Sequence, residues 1–145
     1  MNEVLNILLA EDSADDVFLL RHAFQEAGVS GQFQAVCDGL ECKAYLEGEG
    51  VYADRAAYPF PQILLLDLNM PRVNGFEVLE WVRQESKYKG LMVYVLTASA
   101  RESDVRRAYE LGANSYLIKP NGLNELIALI KALNQWHHFT VFPPD

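Results

Sequence analysis

The chain has 145 residues, 50% of them hydrophobic, with 12 Lys plus Arg against 20 Asp plus Glu and a net charge of -8. This length suits one domain with a sizeable core, and this acidity argues against binding nucleic acid or an anionic membrane surface, both of which would repel it. No apolar run approaches the ~20 residues that span a bilayer, and the opening "MNEVLNILLAEDS" lacks the basic region of a secretory signal, so the chain reads as cytoplasmic.

"NILLAED" (6–12) predicts a first strand. Val17, Leu20, Phe24 and Ala27 then recur at spacings of three and four, which predicts a helix over 13–27 with Ser13 as N-cap and Gly28 as its stop. "FQAVCDG" (33–39) reads as a weaker strand and "LECKAYLEG" (40–48) as a short helix closed by glycine. Residues 49–62 carry two prolines and three aromatics without clean periodicity, and predict a partly packed loop with a helical turn near 53–57. Cys37 and Cys42 make neither a CxxC motif nor a disulfide framework and read as free thiols.

"ILLLD" (63–67) predicts a third strand, buried on both faces, and a helix from Gly75 should bury Phe76, Leu79, Val82 and Ser86. "LMVYVLT" (91–97) is rich in β-formers. A helix over 104–111 should turn Val105, Ala108 and Tyr109 inward and end at Gly112. "SYLI" (115–118) predicts the fifth strand. The last helix should run from Leu123 to about Trp136, with Leu126, Ile127, Ile130 and Leu133 facing the core. Strand and helix thus alternate five times, as in a single-domain α/β fold with a parallel sheet covered by helices on both faces.

Such a sheet binds ligands beyond the C-terminal ends of its strands. Those ends carry Glu11-Asp12, Asp67, Thr97 and Lys119-Pro120, with Cys37-Asp38 at an edge. Three clustered carboxylates would repel one another unless a cation sat among them. Oxygen donors without clustered His or Cys point to a hard ion such as Mg²⁺. Lys119 and Thr97 suit the oxygens of a phosphate, and Asp67 is then a candidate nucleophile toward phosphorus. The adjacent pair His137-His138 does not share a helix face and makes a poor metal clip.

From about Asn6 to Leu133 the chain resembles a response-regulator receiver domain. The motifs that carry the resemblance are Glu11-Asp12, "DLNMPRVNG" (67–75), "LTA" (96–98), "DVRRAYELGA" (104–113) and "GANSYLIKP" (112–120). The resemblance implies a flavodoxin-like, doubly wound sheet of five strands in the order 2-1-3-4-5 with five helices. It implies a receiver unit over 1–136, with the insertion at 49–62, and a tail over 137–145. Asp67 would be the phospho-acceptor, assisted by Lys119 and Thr97. Mg²⁺ (or Mn²⁺) would be held by Asp12, Asp67, the backbone carbonyl of Asn69 and, through a water, Glu11. Thr97 and Tyr116 would form the switch, Asn69 and Ser99 would tune the lifetime of the phosphorylated state, and the Lys119–Pro120 peptide would be cis.

The resemblance further implies that the protein is not an enzyme proper but assists its own phosphorylation and slow dephosphorylation. Its partner would be a sensor histidine kinase docking near the first helix and the loop after Lys119. "DLNMP", the insertion and the tail look like those of receivers serving phytochrome-type kinases. With no effector domain after the fifth helix, output would come from the face made by the fourth and fifth helices and the fifth strand. Phe139, Val141 and Phe142 would pack on their own domain or on a second copy in a homodimer. The alternatives are a receiver-like binding module independent of phosphorylation, a flavin protein and an aspartyl phosphohydrolase. "AEDSADD" lacks the Ser/Thr/Gly-rich phosphate loop a flavin protein needs, and Asn69 stands where a hydrolase needs a second acid.

Overall fold

The computed structural model describes residues 3–143. Five parallel strands form one sheet in the order β2-β1-β3-β4-β5. They are β1 (Ile7–Ala10), β2 (Phe33–Val36), β3 (Ile63–Leu66), β4 (Met92–Thr97) and β5 (Ser115–Ile118). The helices that join and follow them are α1 (Ala14–Glu26), α2 (Gly39–Glu47), α3 (Gly75–Gln84), α4 (Glu102–Glu110) and α5 (Leu123–Phe139). This is a flavodoxin-like, doubly wound fold with the strand order expected above. No described helix is long and apolar enough to cross a membrane.

Alternate residues of a strand face opposite sides, so the apolar runs supply two cores at once. Ile7, Leu9, Ile63, Leu65, Tyr94 and Leu96 pack under α1 and α5. Leu8, Ala10, Leu64, Leu66, Val93 and Val95 pack under α2, α3 and α4. Leu64, Leu65 and Leu66 are each 0% exposed, and burying each such side chain contributes roughly 2–3 kcal/mol. The rigid centre of the sheet therefore carries the residue that follows it, Asp67.

Helix starts follow local chemistry. The Ser13 and Asp38 side chains accept the Asp16 and Glu41 N–H groups at the starts of α1 and α2. Asn74 and Glu77 form a reciprocal capping box at α3. Gly75 follows directly, and a Cβ there would run into the Asp67 carbonyl and lie 2.7 Å from Leu68 Cα. Gly75→Ala is therefore expected to lower unfolding stability by about 2 kcal/mol or more through overpacking against backbone. Urea melts with and without the substitution check this.

Several expectations are corrected. The insertion opens with a 3-10 turn at Gly50–Ala53 that was not expected, and the helical turn expected near 53–57 follows it, closed by the Tyr58 N–H donating to the Asp54 carbonyl at 2.8 Å. Gly50 adopts a positive φ of 58° in the first turn, and the Asp54 carboxylate accepts the Ala56 and Ala57 N–H groups at the start of the second. The insertion is tightly packed. The Arg55 guanidinium donates to the Tyr45, Leu46 and Tyr58 carbonyls and so caps the end of α2. Tyr45, Tyr52 and Tyr58 cluster with ring centroids 4.8–6.1 Å apart.

α4 begins earlier than expected, at Glu102, and buries Ala108. Tyr109 is 48% exposed. Its hydroxyl reaches over the sheet edge to accept the Tyr116 N–H at 3.1 Å, which holds the ring outside the core. α5 runs to Phe139, past Trp136. His137 is buried there with Nε2 2.9 Å from the Val4 carbonyl, so this contact and apolar packing carry the helix on. Phe142 folds back onto Trp136 and His137, while Phe139 and Val141 stay exposed. The last two residues of the expected tail and the Ser86 side chain lie outside what is described. There is no cis peptide among the described residues, so the Lys119–Pro120 bond is trans. The two isomers of such bonds differ by only about 1 kcal/mol, and local contacts choose between them.

Candidate functional site

Parallel strands bring all their C-terminal ends to one edge of the sheet. Four apolar residues of β3 pair between β1 and β4 and deliver Asp67 to the middle of that edge. Asp67 is 4% exposed. β1 delivers Glu11, which is buried, and Asp12, which is exposed. One carboxylate oxygen from each of Glu11, Asp12 and Asp67 lies within 4.8 Å of the others.

β5 delivers Lys119 to the same place. Its ammonium lies 2.5 Å from Glu11 Oε1, 2.8 Å from Asp16 Oδ2 and 3.3 Å from Asp67 Oδ2. Burial pushes the Glu11 carboxyl up to about 7, and the neighbouring Asp67 charge adds to this, against the opposing bonds from Lys119 and the Ser13 N–H. Burial disfavours the Lys119 ammonium, but its bonds to Asp16 and Glu11 and the Asp67 charge outweigh that, and its pKa is raised. One lysine thus serves three carboxylates, and a buried acid remains reluctant to ionise. That donor set of oxygens alone, with an excess of negative charge, fits a hard divalent cation.

Thr97 closes β4 and is fully buried. Its hydroxyl makes no hydrogen bond among the described residues. A buried hydroxyl without a partner costs about 1–3 kcal/mol, which a phosphoryl oxygen at the adjacent site would relieve. Asn69 is exposed, and its N–H donates to Asp67 Oδ1 at 3.3 Å. Tyr116 is turned inward, with its hydroxyl donating to the Ser99 carbonyl at 2.9 Å. The Ser99 hydroxyl donates to Asp104 Oδ2 at 2.7 Å and accepts the Arg101 N–H, so it serves the start of α4.

The structure therefore brings together Glu11, Asp12, Asp67 and Lys119, with Thr97 at the adjoining strand end and Asn69 bonded to Asp67. Ser99 faces α4 instead. Cys37 and Cys42 are free, and the Cys37 thiol donates to Glu41 at 3.1 Å. Sequence reasoning missed Asp16. A signal was present: a helix that follows β1 directly starts at the ligand edge, so acids in its first turn face the site.

The loop that follows Asp67 is anchored at its far end. Arg72, at a φ of 65°, donates twice to Asp38 Oδ2. Burial disfavours the Asp38 carboxylate, but the Glu41 N–H and Arg72 outweigh it, and its pKa is lowered. A lowered carboxyl adds stability above its unfolded value, and the gain is lost as pH falls through the folded value. Asp38→Asn keeps the cap and removes the charge. It should cost about 1 kcal/mol at neutral pH, and the difference from wild type should close below roughly pH 4. Urea midpoints measured across that range check the sign.

The chain is similar to known proteins along nearly its whole length. The profile of the response regulator receiver domain matches residues 7–131. Response regulator Rcp1 of Synechocystis sp. is 36% identical over 138 residues, covering 95% of this chain and 92% of that protein. The crystal structure of the phosphorylated cyanobacterial phytochrome response regulator RcpA superposes with a TM-score of 0.85 at 33% identity, covering 97% of this chain and 99% of that one. The Mn²⁺-bound form of response regulator Rcp1 superposes with a TM-score of 0.81 at 35% identity, with the same coverage.

Proposed function

Given that the chain belongs to the response regulator receiver family, we propose that it is a switch that a partner histidine kinase sets by phosphorylating Asp67. The observation that carries this is the buried Asp67 with the Lys119 ammonium 3.3 Å away and two further carboxylates beside it. An Asp67 oxygen attacks the phosphorus of phosphohistidine. The oxygen–phosphorus bond forms as the phosphorus–nitrogen bond breaks, and the released imidazole takes a proton from water. Lys119 neutralises phosphoryl oxygens in this transfer. Asp12, Asp67, the Asn69 carbonyl and, through a water, Glu11 would hold Mg²⁺ or Mn²⁺. When bound, the ion offsets the charge of the carboxylates and of the phosphoryl oxygens.

Thr97 then turns its unpartnered hydroxyl to a phosphoryl oxygen. Tyr116 lies on the same side of the sheet and carries the change to the face of α4, β5 and α5. The positions of Asn69 and Ser99 set how readily water reaches the acyl phosphate. The protein acts as a signalling domain in the cytoplasm. The likeness to a phytochrome response regulator favours a kinase of phytochrome type. The exposed Phe139 and Val141 suit a second copy of the chain, and the net charge of -8 disfavours nucleic acid and membranes. Incubation with acetyl phosphate and Mg²⁺ tests the reading by intact mass. Gain of one phosphoryl group, lost on chelation of the metal, is expected; no gain would overturn it.

A further inference from the structure

Asp16 has no part in the chemistry above, yet it makes one of the shorter contacts in the site. An ammonium has three N–H donors. The Lys119 ammonium donates to Asp16 at 2.8 Å and to Asp67 at 3.3 Å and stands 2.5 Å from Glu11 Oε1 as an ion pair, so Asp67 holds the longest of the three contacts. Asp16 also stands apart from the cluster of Glu11, Asp12 and Asp67. Its backbone N–H is bonded to the Ser13 cap, which fixes its carboxylate at the first turn of α1. Leu19, Leu20, Leu96 and Pro120 line a cavity of about 50 Å³ with the pair, and that apolar wall limits screening on one side. The lysine and aspartate side chains are 20% and 36% exposed, so the pair is neither fully buried nor fully wet.

We propose that Asp16 is a positioning residue whose carboxylate holds the Lys119 ammonium toward α1 and competes with the phosphoryl group on Asp67 for it. This rests on Asp67 being the phospho-acceptor. An incoming phosphoryl group carries more charge than the Asp16 carboxylate and draws the ammonium toward Asp67. The bond between α1 and the end of β5 then breaks, so that contact belongs to the unphosphorylated state. Removing the Asp16 charge frees the lysine in advance and favours the phosphorylated form.

The test is a beryllofluoride titration with Mg²⁺, followed by fluorine NMR, on wild type, Asp16→Asn, Asp16→Glu and Asp15→Asn. Asp15 is an exposed acid in the same helical turn and controls for net charge. Asp16→Asn should bind beryllofluoride about fivefold tighter, the size expected of one partly exposed ion pair. Asp16→Glu should return toward wild type, and Asp15→Asn should change affinity by less than about twofold. The tightening should vanish in a Lys119→Ala background. Without metal, the ammonium resonance of Lys119 in proton–nitrogen spectra should exchange with water faster in Asp16→Asn. Unchanged or weaker binding in Asp16→Asn, or tightening that survives without Lys119, would overturn the assignment. If wild type itself fails to bind beryllofluoride, the phospho-acceptor reading falls and this one with it. If wild type binds and Asp16→Asn does not tighten, only this inference falls.

Discussion

Asp67→Asn is expected to take up no phosphoryl group from acetyl phosphate, where wild type gains one. The amide has nearly the shape of the carboxylate but no nucleophilic oxygen anion. Asp67 is 4% exposed at the end of a fully buried strand, so the substitution leaves packing in place and removes only charge and nucleophilicity. Glu11 is a poor substitute from its position, because burial disfavours its charged form and its Oε1 is ion-paired with Lys119. Asp12 is exposed and approaches from the strand beside. Intact mass under identical acetyl phosphate and Mg²⁺ conditions reads the difference. Labelling of the variant equal to wild type would place the acceptor elsewhere.

Lys119→Ala should separate two properties that a general loss of structure would lower together. Phosphoryl uptake should fall by about 10²–10³-fold, as when a charged group that stabilises a transition state is removed. Metal binding should hold or tighten. The lysine is the cation that now neutralises Glu11 and Asp67, and without it a divalent ion meets three carboxylates with no competitor. Glu11 would take up a proton more readily in the variant, since Lys119 opposes the effect of burial, so the metal titration is read above neutral pH, where that proton does not compete. Mg²⁺ titration by calorimetry and phosphorylation rate by mass give the two readings. Loss of both would mean that Lys119 chiefly supports the fold.

The element order was legible because periodicity switches between two and 3.6 along the chain. The candidate site was legible for a related reason. Asp67, Thr97 and Lys119 each end an apolar run, and parallel strands leave no other place for such residues than one shared edge. Tyr109 was misread because its spacing matches the inward stripe of α4, while its position at the sheet edge gives the ring no core to enter. The tight packing of the insertion was not legible because Arg55 and three tyrosines meet the end of α2 only after the chain folds back. The burial of His137 was not foreseen, because one more helical turn carries it beneath the N-terminal segment.

Local pattern thus sufficed for the strands, the helices and the acidic edge, since each depends on neighbours a few residues away. What it could not supply is how charge is shared at that edge. Asp16 and Lys119 are 103 positions apart, and nothing in their immediate surroundings pairs them. Their contact exists because β5 lies next to β4 while α1 crosses the same end of the sheet. Whether Ser99 faces Asp67 or α4, and whether Thr97 finds a partner, is likewise a matter of where side chains point after packing. Spacing along the chain says which edge a residue reaches; only the folded arrangement says which groups compete there.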